Sequence, residues 1–266
     1  MIFPDLGIGE LQDQLWLLLF VMVRMGAAMV AAPLFGIRAV PVQVRVIFAA
    51  AMSVFMLNWL PVQLPDETLG VEAIIAVVGE VVIGLMLGFT LQLAFAAPLL
   101  AGEQIAGGMG MAIATAVDPA SGGQSGAVGQ MLAIMLTLIF LAIGGHLLWL
   151  RLVIESYMLF PPGSEWDVGA RAWRVASFAS QAFATALIIA LPVTLVLLLV
   201  QLVTGVISRS APSLNLFALG LPASVLAGIA ALIASTPLLT EQFVTLAENA
   251  ITQVGEIAQP DDAGPP

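Results

Sequence analysis

VASFASQAFATALIIALPVTLVLLLVQLVTGVI, Val175–Ile207, runs for 33 residues without a charged side chain. As one helix it would reach roughly 50 Å at 1.5 Å per residue, well beyond a hydrocarbon core of about 30 Å. Pro192 stands at its middle, so the tract predicts a kink or a broken pair of half-helices. Five further apolar tracts lie outward from it: about Leu15–Phe35, Val46–Leu60, Val71–Ala101, Ala127–Leu150 and Ser210–Thr240. Only the first and fourth have the length of a simple span. The second is short, with Arg38, Pro41, Gln43 and Arg45 in its lead-in, and the sixth contains Pro212, Pro222 and Pro237. The pattern predicts an all-α integral membrane protein with Pro-broken helices.

Composition agrees. Hydrophobic residues make up 61% of the 266-residue chain and charged residues 9%, against about 45–50% and about 25% in soluble domains. Such a chain lives in lipid or inside an apolar assembly, which excludes soluble enzymes, nucleic-acid binders and disulfide scaffolds. All 7 basic residues are Arg, and 17 acidic residues bring the net charge to −10, so no polybasic patch serves nucleic acid or anionic lipid. With no Cys there is no thiol chemistry. Asp5, Glu10 and Asp13 replace the basic start of a signal peptide. Arg residues in alternate loops tie at three against three (Arg38, Arg45 and Arg209; Arg151, Arg171 and Arg174), so orientation is not signalled.

Charges within apolar tracts are functional suspects, because hydrocarbon penalises them by several kcal/mol. Arg24, Glu80 and Glu103 qualify. They could mark an ion or proton pathway, or form buried ion pairs and contacts between subunits; few intramembrane carboxylates accompany them, which favours the structural role. Gly84 and Gly88 form a G-x-x-x-G face suited to close helix contact, and Met22, Met25 and Met29 read as core packing. In Gly107-Gly108-Met109-Gly110-Met111 the glycines would free the backbone, and soft side chains on such a segment could plug a pore.

Gly123-Gln124-Ser125-Gly126 looks like the nucleophile string of rhomboid-type intramembrane proteases. The lone histidine, His146, lies 21 positions further on; on one uninterrupted helix it would stand roughly 30 Å from Ser125, too far for a dyad. His146 reads as a hydrogen-bonded structural residue, with no ligand set around it. After Pro237, Phe243, Leu246, Ala247, Ala250, Ile251, Val254 and Ile257 recur at helical spacing with Glu241, Glu248 and Glu256 off that stripe. This amphipathic helix suits a protein surface or the chain's own body.

Taken in order, Arg38 to Pro41, Gly84 to Thr90, Ala101-Gly102-Glu103, Met109-Gly110, Asp118-Pro119-Ala120, Gly145-His146 and Arg209 to Pro222 with Asn215, Phe217 and Gly220 resemble the FliR family of flagellar biosynthetic proteins. Its injectisome counterparts are called T components. The resemblance covers about residues 10 to 245. It implies a subunit of the type III protein export gate in the bacterial inner membrane, within the flagellar basal body. A single copy would join FliP-like and FliQ-like subunits, with an FlhB-type gate-associated subunit nearby, and pass unfolded flagellar proteins. The implied fold is a FliP-like half followed by a FliQ-like half of bent helical hairpins.

The family's channel plug maps onto about Gly107 to Gly123, including Gly107, Gly108, Met109, Gly110, Met111, Asp118 and Pro119. Arg24, Glu80, Glu103 and His146 would be buried polar or inter-subunit contacts, and Gly84 and Gly88 helix-packing positions. The loop is richer in Gly than the family pattern, which implies a looser plug or one sealed by partners. One export-gate domain over 1–258 and a disordered tail over 259–266 are expected. No catalytic residue, metal or cofactor is expected, and without Lys there is no Walker A lysine. The alternatives are a stand-alone small-solute transporter, which predicts an internal repeat that is not convincing here, and a virulence-system T component.

Overall fold

A computed structural model describes residues 8–37, 39–59, 70–111, 126–162, 164, 166–210 and 216–259. Seven helices occupy them: α1 (Ile8–Ala31), α2 (Val42–Trp59), α3 (Val71–Gly108), α4 (Ala127–Ala142), α5 (Gly145–Leu159), α6 (Val168–Ser210) and α7 (Leu216–Ile257). There is no strand among the described residues. Five helices are long and apolar enough to cross a membrane, or six spans if α4 and α5 count as one broken pair.

Three expectations are corrected. Of the kink or break expected at Pro192 in Val175–Ile207, the break is absent: α6 is continuous for 43 residues, roughly 65 Å. Pro222 and Pro237 likewise lie inside α7, so the amphipathic stripe after Pro237 continues that helix instead of starting another. One proline removes one hydrogen bond from a ladder of dozens, and in an apolar setting the rest of the ladder has no better partner. Conversely, the fourth tract, read as a simple span, breaks. α4 ends at Ala142, Gly144 takes a left-handed φ of +72°, and α5 starts at Gly145. The single-helix distance between Ser125 and His146 therefore does not apply, and Ser125 lies outside the described residues. The tail beyond residue 259 does too.

The chain divides into two compact units, each assembled from separate segments. The first comprises Met1–Leu93, Gly144–Phe178 and Asn249–Pro266. Along α1 and the residue after it, Phe20, Val21, Arg24, Met25, Ala28, Met29 and Ala32 are buried, a stripe that returns every fourth residue. Gly84 and Gly88 of α3 press against it. A Cβ at Gly84 would collide with the Arg24 carbonyl oxygen, and one at Gly88 with that of Ala28, so the absence of side chains brings the two backbones together. Trp149 of α5 is fully buried and donates from Nε1 to the Leu87 carbonyl at 3.1 Å. Phe35 stacks on Trp149 and on Phe48 of α2. Arg45 ties the entry to α2 by donating to the carbonyls of Ile37 and Val40.

The second unit comprises Ala94–Ile143 and Ala179–Glu248. Here α3 and α4 meet through glycine: a Cβ at Gly102 would fall on the backbone of Gly129. Gly129, Leu132, Leu136 and Phe140 form the buried stripe of α4, and Phe95 of α3 meets Phe140 edge-on at 5.4 Å.

Candidate functional site

Arg24 and Glu80 sit on α1 and α3 of the first unit, one turn before Ala28 and Gly84. Their side chains are sealed from solvent and paired through two contacts, Nε to Oε2 at 2.6 Å and Nη2 to Oε1 at 2.7 Å. Nη1 donates to the Ser156 carbonyl and Oγ at 2.9 and 3.1 Å, and Nη2 to the Phe160 carbonyl at 2.7 Å. All five guanidinium donors are thereby used, and the Tyr157 ring covers the group at 4.2 Å. Tyr157 in turn donates to the Val21 carbonyl at 2.6 Å. The partners come from α3, α5 and the residue after α5, so one cation on α1 fastens several segments and has no donor left for a passing solute.

Glu103 differs. It stands on the second unit's part of α3, it is exposed, and Oε1 accepts the Gly126 N–H at 2.8 Å at the start of α4. It is not buried within the chain.

Gly107 and Gly108, expected to be freely jointed, are the last residues of α3. The helix ends in a Schellman motif: Met111 N–H bonds the Ala106 carbonyl, Gly110 N–H bonds the Gly107 carbonyl, and Gly110 has φ +79°. A reciprocal pair of bonds explains why glycines end the helix in order instead of loosening it. Met109 is fully buried, filling the space that a side chain at Gly228 of α7 would need, while Met111 is half-buried. Gln201 of α6 donates to the Gly108 carbonyl at 3.0 Å. Asp118, Pro119 and the loop between Met111 and Gly126 lie outside the described residues.

His146 is half-buried just after the break at Gly144, and its Nδ1 is enclosed without a hydrogen-bond partner, against the expectation of a bonded residue. No group of metal-ligating side chains occurs among the described residues.

The arrangement at the end of α7 escaped sequence reasoning. Arg171 of α6 is buried and donates to the carbonyls of Ile257, Gln259 and Asp167, with the Phe160 and Trp166 rings against it. Arg174 donates to the Glu256 carbonyl at 2.8 Å. Two arginines one turn apart thus satisfy orphan carbonyls of the helix end. The signal was present: α7 has no basic residue in its own last turn.

These features define a multi-span, all-α membrane protein whose buried charges hold helices together. Residues 15–250 match the family of bacterial export proteins, family 1. The chain is similar to the flagellar biosynthetic protein FliR of Escherichia coli (strain K12), 33% identical with 84% of this chain and 86% of the relative covered. FliR of Bacillus subtilis (strain 168) is 32% identical over 78% and 81%, and that of Pectobacterium carotovorum subsp. carotovorum 31% over 82% and 83%. The chain belongs to the bacterial export proteins, family 1.

Proposed function

We propose that this flagellar type III export-gate subunit forms part of the channel that passes unfolded flagellar proteins across the inner membrane. The observation that carries the reading is the family match along residues 15–250. A single copy completes a ring with FliP-like and FliQ-like subunits, and an FlhB-type subunit attaches to the assembly. Residues 1–258 act as one export-gate domain without a catalytic step of their own. The exposed apolar surface supports assembly: only 17% of α2 and 28% of the α6 window are buried within the chain.

Closure falls to the loop that follows α3. Met109 and Gly110 anchor its root, and Met111 with the residues up to Gly123, Asp118 and Pro119 among them, would fill the channel. Arg24 and Glu80 act as an internal brace, and Glu103 faces a neighbouring subunit. The closed Arg24–Glu80 pair weighs against a stand-alone transporter, and the flagellar names of the matched relatives against a virulence-system subunit.

Chromosomal deletion tests the reading. Loss of this chain should abolish motility and secretion of flagellar subunits while their synthesis continues, and a plasmid copy should restore both. Normal secretion in the deletion strain would refute it.

A further inference from the structure

In the second unit a groove of about 610 Å³ runs between the last turns of α3 and the middle of α6. Glu103 and Gln104 form one side, with Leu191, Thr194, Leu195 and Leu198 on the other. The three leucines are 60%, 55% and 52% exposed, so the groove's apolar wall is uncovered by the described chain. A carboxylate on a watery surface needs no partner. One set among leucines of membrane-length helices does.

The described chain supplies no cation for it. Arg24 is held by Glu80, Arg151 by Glu155, and Arg45, Arg171 and Arg174 by backbone carbonyls. Arg209 stands eight residues, roughly 12 Å, further along α6 than Gln201. The start of α4 meets Oε1, but a helix terminus offers only about half a unit of positive charge. Oε2 has no hydrogen-bond partner among the described residues.

We infer that this groove receives an apolar helix of a partner subunit that presents an Arg or Lys side chain to Glu103. The inference rests on the export-gate reading and gives the partner's chemistry. Leucines set the fit and the ion pair sets the register, because a basic residue one turn away would leave both charges unpaired in an apolar setting. Glu103 then has two uses: one oxygen holds the start of α4 and the other meets the partner.

The two uses separate experimentally, since Glu103→Gln keeps an oxygen for Gly126 and removes the charge. The gate is produced with its natural partner subunits and weighed intact before any variant is made. A photoreactive residue is then placed at Leu195, with Trp59 of α2 as the control position. Crosslinking from Leu195 to a partner-subunit helix within one turn of an Arg or Lys is expected. Recovery of the assembled gate should fall roughly tenfold or more in Glu103→Gln, as when one member of a buried charge pair is truncated. Leu195→Trp, which fills the groove and spares the carboxylate, should do the same, and exchanging the two charges between subunits should restore recovery.

Crosslinks from Leu195 to lipid, to this chain's own residues 112–125, to a second copy, or to a partner segment lacking a basic residue would overturn the inference. So would full assembly of Glu103→Gln. These results leave the export-gate reading intact, provided the unmodified complex contains its partners. Absence of a hetero-complex at the weighing step would overturn both.

Discussion

The two units of the chain treat their charged side chains in opposite ways. In the first, Arg24 meets Glu80, Ser156, the Phe160 carbonyl and the Tyr157 ring, and Arg171 meets the end of α7. Every charge in that core ends on a group of the same chain. In the second, the core is held by glycine contacts and edge-on aromatics, and one of its carboxylates, Glu103, stands exposed beside uncovered leucines. The first unit matches its buried charges within the chain, and the second presents a carboxylate that an assembly would match. Burial of a charge is affordable only with a partner in reach, so the location of the partner shows where the folded unit ends and the assembly begins.

The largest expected effect comes from breaking the first unit. Arg24→Met should destabilise it by about 3–5 kcal/mol, because Glu80 is left buried and uncompensated. Arg24→Met with Glu80→Leu should recover much of that loss. Thermal unfolding in detergent measures both, and a double variant as unstable as the single one would contradict the brace. Gly88→Val comes next. Its side chain must displace the Ala28 carbonyl, so the α1–α3 contact opens, by about 2–3 kcal/mol if it follows other core overpacking; the same assay reads it, with Gly79→Val, where a Cβ meets nothing within 4 Å, as the near-neutral control.

A smaller effect is expected at the arginines capping α7. Arg171→Gln should cost about 1–3 kcal/mol through unsatisfied carbonyls and raise hydrogen exchange in residues 249–257 first. Uniform exchange along α7 would show that the cap is not local. Smallest is Gly110→Ala, which places an L side chain at φ +79° beside Leu221 and should cost about 1–2 kcal/mol. Proteolysis just beyond Met111 should quicken in this variant, and an unchanged cleavage rate would contradict the ordered helix end.

How much of this was legible depended on how local the cause was. Membrane class and all-α architecture follow from composition and tract length, and the ordered motif set from Arg38 to Pro222 reads as the export family. Arg24 and Glu80 stood out because a charge in an apolar tract is visible in one dimension, but their pairing joins residues 56 apart. Prolines misled because a broken hydrogen bond is local, while continuity of α6 and α7 is decided by the whole ladder. Gly144 escaped notice because one left-handed residue can divide an otherwise uniform apolar run. Gly107 and Gly108 read as flexible because the bonds that end α3 come from Gly110 and Met111, after the helix.

The most direct test is to weigh the complex. A C-terminal tag, mild detergent extraction and native mass spectrometry should give one copy of this chain bound to several copies of two small helical membrane proteins. A monomer or homodimer under conditions that preserve other membrane assemblies would contradict the account.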